Sequence, residues 1–90
     1  FAGRIFAKRG IFMEKRIAIL GIIVSDREAS AEVNRLLHEY GEHIVGRMGI
    51  PREGCSIITV VMESENDTIN ALSGKLGRLK NVQVKSMMAK

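Results

Sequence analysis

Apolar and polar positions change period several times along the chain, and the changes mark out six elements. Arg16 to Val24 is a short isoleucine-rich run, Arg-Ile-Ala-Ile-Leu-Gly-Ile-Ile-Val, which predicts a buried strand. Ser25, with Glu28 three residues on, has the form of a capping box. Ala29, Val33, Leu36, Leu37 and Tyr40 then recur at helical spacing, and Gly41 stands where a C-cap glycine would. His43 to Ile50 predicts a second strand, Pro51 to Gly54 a turn, and Ser56 to Met62 a third strand rich in β-branched side chains. Asn66 or Asp67 is expected to cap a second helix carrying Ile69, Leu72 and Leu76. Gly74 is expected to let that helix approach the sheet, and Gly77 to end it in a left-handed conformation. Val82, Val84 and Met88 alternate in a closing strand. The order βαββαβ predicts an α+β fold: a ferredoxin-like sandwich with a four-stranded antiparallel sheet and two helices on one face.

That architecture leaves the other face of the sheet to be covered. A half-buried strand should alternate apolar and polar residues, because successive side chains point to opposite faces. The first strand does not. Ile17, Ile19 and Ile23 point one way while Ala18, Leu20, Ile22 and Val24 point the other. The third repeats this, with Ile57, Thr59 and Val61 opposite Ile58, Val60 and Met62. These two strands form the central pair of the expected order, so an apolar patch should lie on the helix-free face. A patch of that kind usually marks an interface. Ile17, Ile19, Ile23, Ile57, Thr59 and Val61 are therefore expected to form the contact of a homo-oligomer, a dimer or tetramer, through sheet-face packing or sheet extension. A monomer covered by its own Phe1, Phe6 and Phe12 is the alternative.

Composition and charge refine this picture. The 90 residues are 46% hydrophobic and 27% charged, with a formal charge of +4; the pI is near 9.6 and the mean hydropathy +0.04. The chain is too apolar for a disordered segment and has no apolar run approaching the roughly 18 residues of a membrane span. A soluble cytoplasmic domain with no membrane role is expected. Residues 1–12 hold Arg4, Lys8, Arg9 and all three phenylalanines but no acid, so they carry +3 by themselves. They are read as an N-terminal extension upstream of the true start, and the domain as residues 13–90, beginning at Met13. In that domain eleven basic residues face ten acidic ones, leaving +1. The single Cys55 excludes an intrachain disulfide and suits a reducing compartment.

Candidate chemistry is sparse. His38 and His43 lack further ligands at a fixed spacing, so no metal site is expected. Cys55 has no neighbouring signal for activation and reads as a structural thiol. Ser73-Gly74-Lys75 lacks both the earlier glycine and the following Ser or Thr of a phosphate loop, since Ile69 and Leu76 occupy those places. The central strands offer no aromatic on which RNA bases could stack. Asp26 and Glu28 would repel an anion from an acylphosphatase-like loop after the first strand. No nucleophile–base or carboxylate pair is indicated, so no enzymatic activity, catalytic residue or cofactor is expected.

Two long blocks carry a family resemblance. Leu36 to Pro51 (Leu-Leu-His-Glu-Tyr-Gly-Glu-His-Ile-Val-Gly-Arg-Met-Gly-Ile-Pro) and Asn66 to Ser86 resemble the iron-only hydrogenase system regulators, small bacterial proteins with an ACT-like, ferredoxin-like fold. The likeness covers nearly all of residues 14 to 90. Asn70 departs from it where a glycine is expected, and Arg52 where an aromatic is frequent. The resemblance implies a cytoplasmic, non-enzymatic, oligomeric regulator associated with the iron-only hydrogenase system, one that binds a small effector or a partner protein. It also implies an effector site in the loop after the first strand, at Ser25, Asp26 and Arg27; the same residues could serve only to cap the helix. A nucleic-acid-binding regulator is the alternative. Residues 66–90 hold Lys75, Arg78, Lys80, Lys85 and Lys90 against Asp67 alone. Yet the βαββαβ unit consumes the whole domain and leaves no helix-turn-helix to read DNA.

Overall fold

The computed structural model describes residues 14–89. Strand β1 (Lys15–Val24) leads to helix α1 (Arg27–Glu39), and a 3-10 turn at Gly41–His43 precedes β2 (Ile44–Arg52). Strand β3 (Cys55–Glu65), helix α2 (Asn66–Gly77) and strand β4 (Val82–Met88) complete the βαββαβ order. The strands form one sheet in the order β2-β3-β1-β4, and every neighbouring pair is antiparallel. This is the expected α+β, ferredoxin-like sandwich. Residues 1–12, read from the sequence as an extension, lie outside the described residues, as does Met13.

One core holds the two layers together. Ala18, Leu20, Ile22 and Val24 of β1 and Ile58, Val60 and Met62 of β3 point toward the helices. They meet Ala29, Val33, Leu36 and Leu37 of α1 and Ile69, Leu72 and Leu76 of α2, and all are buried. The helical spacing of the apolar positions thus becomes a stripe on each helix, and removing those stripes from water is the main favourable term in folding. At the sheet edge, the Arg47 guanidinium donates from Nη2 to Asn34 Oδ1 of α1 at 2.8 Å. A bulge between Ile44 and Gly46 leaves Val45 unpaired and exposed.

Several element ends differ from the sequence reading. The N-cap of α1 is Asp26, not Ser25: Asp26 Oδ1 accepts from the Glu28 N–H at 3.1 Å. The N–H of Ser25 instead donates to the Asn81 carbonyl at 2.9 Å, which joins the end of β1 to the start of β4. Tyr40 is the C-cap of α1, and Gly41 opens the 3-10 turn with no left-handed backbone. Glu65 precedes α2 as its N-cap without a side-chain bond, so neither Asn66 nor Asp67 caps it. Gly77 is the last helical residue, and the left-handed position falls at Asn81, with φ 65°. Gly74 does not face the sheet, since a Cβ there would meet only Arg78 at 3.8 Å. Gly77 does, but a Cβ there would make ordinary contact with Val84 at 3.5 Å, so neither position requires glycine for packing. Strand β2 runs through Pro51 to Arg52, because a proline on an edge strand can aim its missing N–H at solvent.

Candidate functional site

The antiparallel pairing of β1 with β3 puts the end of one beside the start of the other, with Val24 opposite Ser56. Two loops therefore converge at this end of the sheet. One is the β1–α1 loop; the other is the β2–β3 hairpin, where Arg52 pairs with Cys55 across Glu53 and Gly54. Gly54 has φ 83° with open space around it, so the backbone conformation and not crowding requires glycine there. Between the loops lies a solvent-open cleft of about 430 Å³.

Ser25, Asp26 and Arg27, the residues singled out in the sequence, line one wall together with Ser30 of the first turn of α1. Pro51, Arg52, Cys55 and Ser56 form the facing wall. Asp26 is already engaged on both oxygens, capping α1 through Oδ1 and accepting from Asn81 Nδ2 through Oδ2 at 3.3 Å. Arg27 and Arg52 take part in no ion pair among the described residues. The repulsion expected of this loop is reduced, because Glu28 is not in the lining and Asp26, though it keeps its charge while capping, faces two guanidiniums. With three serine hydroxyls and the N-terminal end of α1 beside it, the cleft is cationic on balance. Such a lining suits a carboxylate or phosphate, because guanidinium binds both through paired N–H donors.

The second wall escaped the sequence reading, although the expected strand order already placed the start of β3 next to the end of β1. Arg52, which departs from the family resemblance, lies in that wall. Cys55 is a half-buried free thiol. His38 and His43 do not converge: His38 is exposed on α1, while His43 Nδ1 lies 3.1 Å from the hydroxyl of Ser64. No group of three or more His, Cys, Asp or Glu side chains suited to a metal ion occurs among the described residues.

The six residues expected at an oligomer contact all lie on the helix-free face. Ile17, Ile19 and Ile23 are exposed, and Ile57, Thr59 and Val61 are half-buried. Two cations of the C-terminal half lie on different surfaces. Lys75 Nζ sits 5.1 Å from the centre of the Tyr40 ring in the helical layer, whereas Lys85 pairs with Gly21 in register and so lies on the open sheet face. No helix among the described residues is long and apolar enough to cross a membrane.

A family model described as "TM1266-like: Iron-only hydrogenase system regulator, putative" matches residues 16–86. The chain is similar to the solved structure of the uncharacterized protein TM1266 from Thermotoga maritima, at 45% identity and a TM-score of 0.82, covering 86% of this chain and 100% of that one. A de novo designed protein, Foldit4, shares the fold alone, at 15% identity and a TM-score of 0.57 over 86% of this chain and 98% of that one. No curated protein matches the sequence.

Proposed function

Because the chain belongs to the TM1266-like family of iron-only hydrogenase system regulators, we propose that it is a non-catalytic, cytoplasmic regulatory module that binds a small anionic effector between Arg27 and Arg52. The observation that carries this reading is the cleft itself. It opens at the loop for which the family resemblance implied a site, and its lining adds cationic and hydroxyl donors from a second loop. An effector held there would bridge the β1–α1 loop and the β2–β3 hairpin, two segments that no hydrogen bond between side chains joins among the described residues. Binding would couple their positions, and a ligand with different affinity for the coupled and uncoupled arrangements shifts the balance between them. That shift is the signal a regulator needs. The placing of Lys75 in the helical layer and Lys85 on the sheet face gives direct nucleic-acid binding through one basic surface less support.

Titration calorimetry with amino acids, nucleotides and divalent cations tests the proposal. Heat is expected from a carboxylate- or phosphate-bearing ligand, and Arg27→Ala should weaken that ligand about tenfold or more through loss of a charged hydrogen bond. Silence across the panel, or binding that Arg27→Ala leaves intact, contradicts it.

A further inference from the structure

The open face of the sheet has a composition that the cleft does not explain. Seven large hydrophobic side chains are exposed among the described residues, and all belong to strands. Register places six of them, Ile17, Ile19, Ile23, Met48, Ile50 and Met87, on the face away from the helices; Val45 sits at the bulge. In the rows from Ile17 to Ile23 the ionisable side chains are Glu63 and Lys85, one of each sign. Neither helix contributes a comparable patch.

We propose that this face binds a second copy of the same chain in a face-to-face sheet dimer, independently of what the cleft binds. Three rows crossing all four strands and a fourth crossing β1 and β3, with strands about 4.8 Å and rows about 6.7 Å apart, project roughly 450 Å². The accessible area of protruding side chains exceeds that projection, so it approaches the ~800 Å² per partner of a stable complex. A two-fold contact requires a self-complementary surface, and an apolar face with one anion and one cation meets that need without an excess of like charge.

Gly21 adds a shape requirement. It lies mid-strand between Ile19 and Ile23 on this face, beside Thr59 and Lys85 in register. A Cβ there would meet only the Lys85 carbonyl oxygen, at 4.0 Å, and the backbone is not left-handed. The chain's own fold therefore does not require glycine. What glycine provides is a notch in the open face, the mark of a place where something outside the strand comes close. Met48 and Met87, exposed by 58% and 64%, are flexible side chains able to enter it from the partner.

Sedimentation velocity on the full chain, with circular dichroism as the check on folding, is the test. The unaltered chain should associate, and Ile19→Asp should be monomeric with an unchanged spectrum. Gly21→Val should fold normally, since valine favours strands, yet weaken association about tenfold or more by filling the notch. Asn70→Asp, on the exposed surface of α2, should leave association unchanged. A full chain that stays monomeric at every concentration overturns the proposal and leaves the face to another cover, such as the chain's own residues 1–12. Association that survives both Ile19→Asp and Gly21→Val also overturns it.

Discussion

Asn81, in the α2–β4 loop, holds the β1–α1 loop at Asp26 and Ser25: its side-chain amide donates to Asp26 Oδ2 at 3.3 Å while its carbonyl accepts from the Ser25 N–H at 2.9 Å. Asn81 does this from the left-handed region, which asparagine tolerates better than most residues. The β1–α1 loop is therefore fixed from behind by the α2–β4 loop before any ligand arrives. Asp26→Ala should cost about 1 kcal/mol through loss of the helix cap. Asn81→Gly should cost less than Asn81→Ala, because glycine keeps the backbone unstrained while both lose the side-chain bond. Chemical denaturation of the three variants checks the order.

The same comparison separates capping from binding at the cleft. Ser25, Asp26 and Arg27 differ in what they do for the fold: Asp26 caps, Ser25 pairs through its backbone, and Arg27 has no ion-pair partner among the described residues. Arg27→Ala should not lower the stability and should raise it by up to about 0.5–1 kcal/mol, because it removes a cation without such a partner from the first turn of α1; chemical denaturation measures it.

Ser64 is the buried polar residue of the core, 3% exposed, and its hydroxyl lies 3.1 Å from His43 Nδ1. His43→Ala would leave that hydroxyl without its partner and should destabilise the fold by about 1–3 kcal/mol. Ser64→Ala should cost less, and the double variant less than the two single effects added together. A double-mutant cycle by urea denaturation measures the coupling.

Gly74 and Gly77 sit in α2 with no left-handed backbone, and a Cβ at Gly74 would meet only the Arg78 guanidinium at 3.8 Å. Gly74→Ala should stabilise the domain by several tenths of a kcal/mol to about 1 kcal/mol, the helix propensity difference. Gly77→Ala should gain less, because its Cβ would reach Val84 at 3.5 Å. Thermal melts distinguish the two.

Lys75 is held above the ordinary lysine range by Tyr40, first through the proximity of the phenol hydroxyl and then through the charge that the phenol carries once ionised, with the ammonium 5.1 Å from the ring centre. The contribution to stability, present below the unfolded lysine value and lost as pH rises through the folded one, is small because solvent screens an exposed ammonium. Tyr40→Phe should lower the Lys75 titration midpoint toward the usual range, which NMR of the lysine side chain would record.

The expected order of strands and helices was legible because the period of the apolar residues changes cleanly at Val24, Gly41, Met62 and Val82. Both apolar faces of β1 and β3 were equally legible, since alternation assigns each residue to a face. Cap positions were not. Ser25, Asp26 and Asn66 all have capping side chains, and the choice among them depends on where the neighbouring loop approaches, as Asn81 does at Asp26. Glycine was misleading for a similar reason: Gly41 and Gly77 could have adopted left-handed backbones, but Asn81 took that role in the α2–β4 connection. The facing wall of the cleft, Arg52 to Ser56, comes from a segment distant in sequence from Ser25 and becomes a neighbour only through the β1–β3 register.

Amide chemical-shift mapping during titration with amino acids and nucleotides tests effector binding in the cleft most directly. The expected result is a set of shifts concentrated at Ser25–Ser30 and Arg52–Ser56, saturating with one ligand class. Shifts confined to the open sheet face or the outer surface of the helices, or no shift with any ligand, would contradict it.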